Sequence, residues 1–397
     1  MNATDVARTI QLSDLARLDQ YRNSPEFGPQ ILFLSGGTAL NSVSQVLKSY
    51  SHNTIHMITP FDSGGSSAAL RMAFDMPAIG DLRSRLVALA DEAFTGYHEI
   101  YTLFTHRFNK DSDVSDLQLQ LDAICAGHHY LIRAIPQPMR RVISKQLGYF
   151  RDLMPATFDL RGASIGNLIL AGGYLNNQRQ LESIIYLFSQ LAGVCGTVNA
   201  IVNDNLHLAA DLNDGSRIIG QHRLTGKEQP PIASPIKRLY LSSRAEYLTP
   251  ARTMISRNNR KLINSAQLIC YPPGSFYTSL IANLLPDGVA ETIASNNCPK
   301  VYIPNLGYDP EQTGMTMDTT IKTLLDYLKI YPGSGRKTSQ VLNYILLDSR
   351  HENNLGPVSL QLLHEHGIQL IDTELVSKSD AEYYDPELLA SALLMLA

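Results

Sequence analysis

Three times along this chain a short apolar run ends in glycine and small hydroxyl residues and then turns into a helix. The stretches are LSGGTAL (34–40), FDSGGSSAAL (61–70) and YPPGSFYTSL (271–280). They follow runs of buried-strand character, ILFL (31–34), TIHMIT (54–59) and AQLICY (266–271). The first leads into Leu40, Val43, Val46 and Leu47 at helical spacing. Strands that alternate with helices pair in parallel and need helices on both faces of their sheet. The runs RLYLSS (238–243), KVYIPN (300–305), NYILLDS (343–349) and IQLIDTELV (368–376) extend the alternation. The expected class is α/β, a mostly parallel Rossmann-like sheet with helices on both faces.

Residues 95–192 interrupt that rhythm. Amphipathic segments at 114–126, 138–152, 164–175 and 180–192 read as a helical insertion. HLAADLNDGSRIIGQ (207–221) alternates, and Asp214-Gly215 predicts a two-residue hairpin turn in a small β element. KEQPPIASP (227–235) reads as a loop. Residues 1–29 read as an N-terminal extension with a short helix at 13–20 capped by Ser13. Residues 30–397 read as one domain that carries the insertion.

Composition narrows the partners. The net charge is −4 with no long basic run, so a nucleic-acid partner is not expected. No apolar run reaches the ~18 residues of a membrane helix, and MNATDVARTIQLSDLARLDQ has no apolar core of a secretory signal. A cytoplasmic protein is expected. Cys125, Cys195, Cys270 and Cys298 are far apart and read as free thiols. His128-His129 and His364/His366 lack the i, i+4 spacing of a zinc helix. PGSGRKTS (332–339) lacks the spacing of a phosphate-binding P-loop, and no GxSxG is present.

In an open parallel sheet, the loops after the strands gather where ligands bind. Glycines there permit close backbone approach, and each following helix turns unpaired N–H groups toward the loop. The three loops therefore predict a site for phosphate or diphosphate, as part of a nucleotide. Tight turns and helix caps use the same residues. Asp62 would hold Mg²⁺ or a hydroxyl, or else close an Asx-turn. Arg71 and Arg83 would pair with phosphate or form surface ion pairs. Asn167, in GASIGNL (162–168), would touch ligand or pack through Gly166. Asp81 reads as the N-cap of the helix that follows it.

LSGGTALNSVSQVLK, TPFDSGGSSAALR, IGDLRSRLVALADE, GASIGNLILA, PPGSFYTSLIANLLPDGVAETI and KVYIPNL occur in the order expected of the CofD/YvcK-like proteins, and the chain resembles that family from residue 31 onward. The family includes 2-phospho-L-lactate transferases and gluconeogenesis factors that look like UDP-sugar-binding regulators. The resemblance implies a nucleotide site of Gly36, Gly37, Thr38, Gly64, Gly65, Ser66, Ser67, Asn167, Gly274 and Ser275. Asp62 would be the metal ligand or acceptor-orienting group, with Arg83 on the phosphates. It implies a transferase using Mg²⁺ and a nucleotide-linked phosphorylated substrate or, alternatively, a non-catalytic sensor of a nucleotide sugar. It also allows a homodimer. Four departures stand out: Ala39 where the family has a glycine, Ser63 where it has a second aspartate, Ala68 or Ala69 where a glycine closes the second loop, and Ala163 where it often has a histidine.

Overall fold

The computed structural model describes residues 15–329, 335–351, 354–377 and 382–397. Ser13, and residues 332–334 of PGSGRKTS, lie outside these. Seven strands form one parallel sheet: β1 (Ile31–Ser35), β2 (Ile55–Ile58), β3 (Thr197–Ala200), β8 (Leu268–Tyr271), β9 (Lys300–Tyr302), β10 (Tyr344–Leu347) and β11 (Gln369–Asp372). Their order is β11-β10-β9-β8-β1-β2-β3. From β1 the chain steps outward to β2, and from β8 it steps the other way to β9. The sheet therefore splits its direction between β1 and β8, which opens a crevice at their carboxyl ends.

All five residues of β1 are buried, as a central strand covered on both faces requires. They alternate between two cores. Ile31 and Phe33 pack with α2 (Asn41–Leu47) and the C-terminal helix Pro386–Leu396, and α1 (Leu15–Asn23) adds Leu18 there. Leu32 and Leu34 face the helices Arg257–Ser265 and Met317–Tyr327 on the other side. His56 of β2 is buried against Phe33, with ring centroids 5.1 Å apart, and burial holds its pKa well below the usual histidine range.

The helical block is where the sequence places it. After α3 (Gly65–Phe74) and α4 (Gly80–Leu89) come α5 (Tyr97–Thr105), α6 (Val114–Cys125), α7 (Tyr130–Arg133), α8 (Met139–Leu153), α9 (Ile165–Asn176) and α10 (Leu181–Leu191). They enclose a third core, joined to the sheet through Ile58, Val198 and Ala200. Among the described residues no helix is long and apolar enough to cross a membrane.

Two expectations need correction. The run 238–243 does not join the parallel sheet. It lies in β6 (Ile236–Ser242), the centre of an antiparallel sheet with β4 (His207–Leu212), β5 (Arg217–Ile219) and β7 (Pro250–Ala251). The missing parallel strand is β3, in TVNA, which no apolar run announces. The hairpin turn is also longer than two residues. Leu212 donates to the Ser216 carbonyl, which leaves 213–215 as a three-residue loop with Gly215 at φ +86°.

Candidate functional site

The β1–β8 crevice holds a cavity of about 540 Å³. Its walls bring together Gly36, Gly37 and Thr38 of the first loop, Asp62 and Gly64 of the second, and Gly274 and Ser275 of the third. Gly36 and Gly274, far apart in sequence, meet because β1 and β8 are hydrogen-bonded neighbours. A methyl group on Gly36 would stand 2.3 Å from Ser279 Oγ, so only glycine lets the first loop lie against the helical turn Phe276–Ile281.

The loops differ in what they offer. The first loop is held from beneath by Arg85, which is 0% exposed and donates to the Gly37 carbonyl (3.2 Å) and to Ser44 Oγ (2.5 Å). Burial lowers its pKa to about 10, with nearby Asp81 opposing the shift, so the guanidinium stays charged at neutral pH. In the second loop, Asp62 Oδ1 accepts from the Gly64 N–H at 3.1 Å, an Asx-turn that leaves Oδ2 without a partner in the described structure. Arg71 is no surface ion pair. It is buried and ties this loop to the small sheet through the carbonyls of Phe61, Asp62 and Leu206 and through Asn205 Oδ1.

The third loop lines the cavity, but most of its amides are already taken. Gly274 N donates to Asn305 Oδ1 (2.7 Å) and Phe276 N to Asp309 Oδ2 (2.8 Å). Tyr277 N and Thr278 N both donate to Glu311 Oε2, at 2.9 and 2.8 Å. The expectation that all three loops turn free N–H groups on an anion therefore fails for most of the third, and in the second the Gly64 N–H is already given to Asp62 Oδ1. The third is capped by carboxylates from the chain beyond β9, which satisfy the open end of a buried helical turn.

Several predicted residues fall outside the cavity lining. Ser67 is buried against Gly80, and Gly65, Ser66 and Asn167 sit beyond Gly64, with Asn167 Nδ2 donating to Ser66 Oγ at 2.9 Å. Arg83 turns to the Phe104 carbonyl (3.1 Å). Helix geometry gives the reason. Asp81 and Arg85 are four residues apart on one face of α4, and Arg83 lies on the other.

Asp81 is a residue the sequence reading used only as a cap. It is the second residue of α4, and its Oδ1 would stand 3.1 Å from a methyl group on Gly37. Burial, and then the neighbouring Asp62 carboxylate, push its pKa up to about 7. Asp62 and Asp81 thus form the carboxylate pair that Ser63 had seemed to remove. Ser63 instead bonds His222, whose Nδ1 lies 2.8 Å from its hydroxyl and whose N–H donates to it at 3.2 Å. The connection between β5 and β6 completes the wall with His222, Thr225, Lys227 and Glu228. No local signal in the sequence joins these residues to the glycine loops; the contact is made by the fold.

Removing Arg85 should be costly. Arg85→Ala leaves the Gly37 carbonyl without its donor and opens a cavity beneath the loop. It is expected to lower unfolding stability by about 3 kcal/mol in urea titrations. A change below about 1 kcal/mol would show that the loop holds its shape unaided.

A crystal structure of a UPF0052-family protein from Bacillus halodurans shares the fold, with a TM-score of 0.67 at 23% identity over 92% of this chain and 99% of that one. The gluconeogenesis factor of Bacillus subtilis (strain 168) is 27% identical over 381 residues, 93% of this chain and 98% of that protein. A Nostoc protein provisionally named gluconeogenesis factor is 29% identical over 299 residues, 75% of this chain; the match spans 52% of that longer relative. The family model described as 2-phospho-L-lactate transferase CofD matches residues 31–376, from the first residue of β1 to beyond β11. This chain belongs to the CofD family.

Proposed function

We propose that the cavity binds a nucleotide-linked diphosphate and transfers its phosphorus-containing group to an acceptor hydroxyl. Family membership suggests a phosphotransferase-like role. The observation that carries the finer reading is the convergence of the glycine loops with Asp62 and Asp81 at the point where the sheet reverses direction.

In this reading the acceptor oxygen forms a bond to phosphorus, the diphosphate P–O bond breaks, and nucleoside monophosphate leaves. The acceptor proton passes to Asp81, whose pKa near 7 suits a base working at neutral pH. The amides of the first loop meet the phosphate charge. Lys227 is the only Lys or Arg lining the cavity among the described residues, and it would meet the leaving phosphate.

Asp62, Asp81, Glu228, Asp309 and Glu382 all face the same cavity. So many carboxylates would repel a bare diphosphate. Among the described residues no group of three or more His, Cys, Asp or Glu is placed to hold a metal ion. The residues do fit Mg²⁺ shared between Asp62 and the substrate, since this ion is commonly held by one or two carboxylates plus phosphate oxygens. When bound it supplies charge neutralisation.

The test is release of nucleoside monophosphate from candidate nucleotide conjugates, with acceptor and Mg²⁺. Asp62→Ala is expected to lower turnover by about 100-fold or more while the protein stays folded. Full activity in that variant would remove Asp62 from the chemistry. A second reading, a sensor of a nucleotide sugar, is favoured by the Ser63–His222 contact in place of a second adjacent carboxylate and by the name of the Bacillus subtilis relative. It predicts binding without turnover.

A further inference from the structure

The second loop and the small antiparallel sheet meet where Ser63 touches His222. His222 sits in the short turn Gln221–Arg223, between β5 and β6. That turn is anchored at both ends. Gly220 N donates to the Leu208 carbonyl at 2.8 Å, and Leu224 is fully buried in the core. Gly220 has φ +103°, and a methyl group there would stand 2.9 Å from His222 Cε1. Only glycine both takes that backbone and leaves room for the ring. Ser63 is held from the other side, because Arg71 ties the carbonyls of Phe61 and Asp62 to that of Leu206. The imidazole therefore keeps one place in the wall.

The hydrogen bonds at Ser63 decide which ring nitrogen carries the proton. The His222 backbone N–H can only donate, and it gives to Ser63 Oγ at 3.2 Å. His222 Nδ1 lies 2.8 Å from the same oxygen. Among the described residues Ser63 Oγ has no other hydrogen-bond partner. Were the proton on Nδ1, the hydroxyl hydrogen would find no acceptor in the protein. When the hydroxyl donates to a bare Nδ1, every group at the contact is satisfied. That arrangement puts the ring proton on Nε2.

Nε2 has no hydrogen-bond partner among the described residues and is not one of the buried unpaired atoms. His222 is half-buried and forms part of the cavity wall, beside Asp62 and Gly64. Asp62, Asp81 and Glu228 line the same cavity and, when ionised, can only accept hydrogen bonds. A ring N–H is what such a wall lacks for a ligand rich in acceptor oxygens. Serine at 63 also sets the charge. A carboxylate in its place would accept from Nδ1–H and favour the imidazolium. Serine serves the neutral ring, a donor that adds no charge.

We propose that His222 binds the ligand through Nε2–H, donating to a phosphate oxygen of the diphosphate, and that Ser63 is a positioning residue that fixes this tautomer. The inference rests on the diphosphate reading of the cavity and holds whether that ligand is transferred or only sensed. It removes His222 as a base for an acceptor hydroxyl. Nδ1 is occupied by Ser63 and Nε2 already carries its proton, which leaves that role to Asp81.

The test uses the full-length protein with magnesium pyrophosphate as the probe. Long-range proton–nitrogen NMR correlations of the His222 ring at pH 8 read the tautomer, and the Nε2–H form is expected. In calorimetry, His222→Ala should bind about tenfold more weakly, the size of one hydrogen bond to a charged oxygen. His222→Gln can bring an amide N–H to the place of Nε2 and should stay within about threefold of the wild type. His222→Asn brings it nearer to Nδ1 and should bind as weakly as His222→Ala. Ser63→Ala should weaken binding about fivefold in the wild type and not at all in the His222→Ala background, a coupling that a general loss of loop structure would not produce. A wild-type protein that binds no pyrophosphate overturns the diphosphate reading and this inference with it. Binding that His222→Ala leaves unchanged, an Nδ1–H tautomer, or a Ser63→Ala loss that persists without His222 overturns the inference alone.

Discussion

Asp81→Asn is expected to make the ligand-free protein more stable at pH 8 and to lower its turnover by about 100-fold. The two effects share one cause. Asp81 has a pKa of about 7 in the folded protein, raised by burial first and by Asp62 second. An unfolded chain ionises an aspartate near 4. As pH rises from about 4 to 7, the unfolded state releases this proton and the folded state keeps it, so folding loses stability across that window. Three pH units correspond to a ceiling of about 4 kcal/mol; because Asp81 keeps some contact with the solvent-filled cavity, about 2 kcal/mol is the working value. Asparagine removes the titration. Unfolding in urea at pH 4.5 and pH 8 should show a gain for the variant that is small at the lower pH and larger at the higher. An equal gain at both, or a loss at pH 8, would mean that Asp81 does not carry the raised pKa. In the transfer reading asparagine also removes the base, so a stabilised variant with full turnover would place the proton elsewhere.

The sheet was legible because its strands are continuous apolar runs closed by glycine and hydroxyl residues. Where those signals weaken, the reading fails. TVNA of β3 pairs two strand formers, Thr197 and Val198, with an asparagine, Asn199, whose side chain donates to Asn259 inside the protein; only the finished core shows why it is a strand. RLYLSS looks like any other apolar run, and nothing within it says which of two sheets it joins. The two arginines of GDLRSR were separable in principle. Counting four from Asp81 selects Arg85, the one beneath the first loop, and passes over Arg83. His222, Lys227, Asp309 and Glu311 reach the glycine loops from afar in sequence, and no local spacing encodes that contact. The third loop misled for a related reason. Its small residues do mark an open helical end, but the carboxyl groups that fill it are part of the chain.

That internal cap makes Glu311 the strongest structural dependency around the cavity. Its Oε2 accepts from Tyr277 N and Thr278 N, its Oε1 lies 2.5 Å from Thr278 Oγ1, and the residue is 1% exposed. Glu311→Ala strands three buried donors at once and is expected to cost about 3–5 kcal/mol, enough to lower the melting temperature sharply. Glu311→Gln should be far milder. Burial, and then the adjacent Asp309 carboxylate, hold the Glu311 pKa above the ordinary carboxylate range, so the fold favours its neutral form. A glutamine resembles that neutral form, with a carbonyl for the two amides and an NH₂ for the Thr278 hydroxyl. The sign with pH follows. The wild-type protein loses stability from this group as pH rises above the unfolded glutamate value, until the folded group also ionises. Glu311→Gln should flatten that part of the profile, which unfolding curves between pH 5 and pH 9 would read. If alanine and glutamine prove equally harmful, Glu311 acts as a charge; if both are harmless, the third loop closes without it, and its amides become available to the ligand after all.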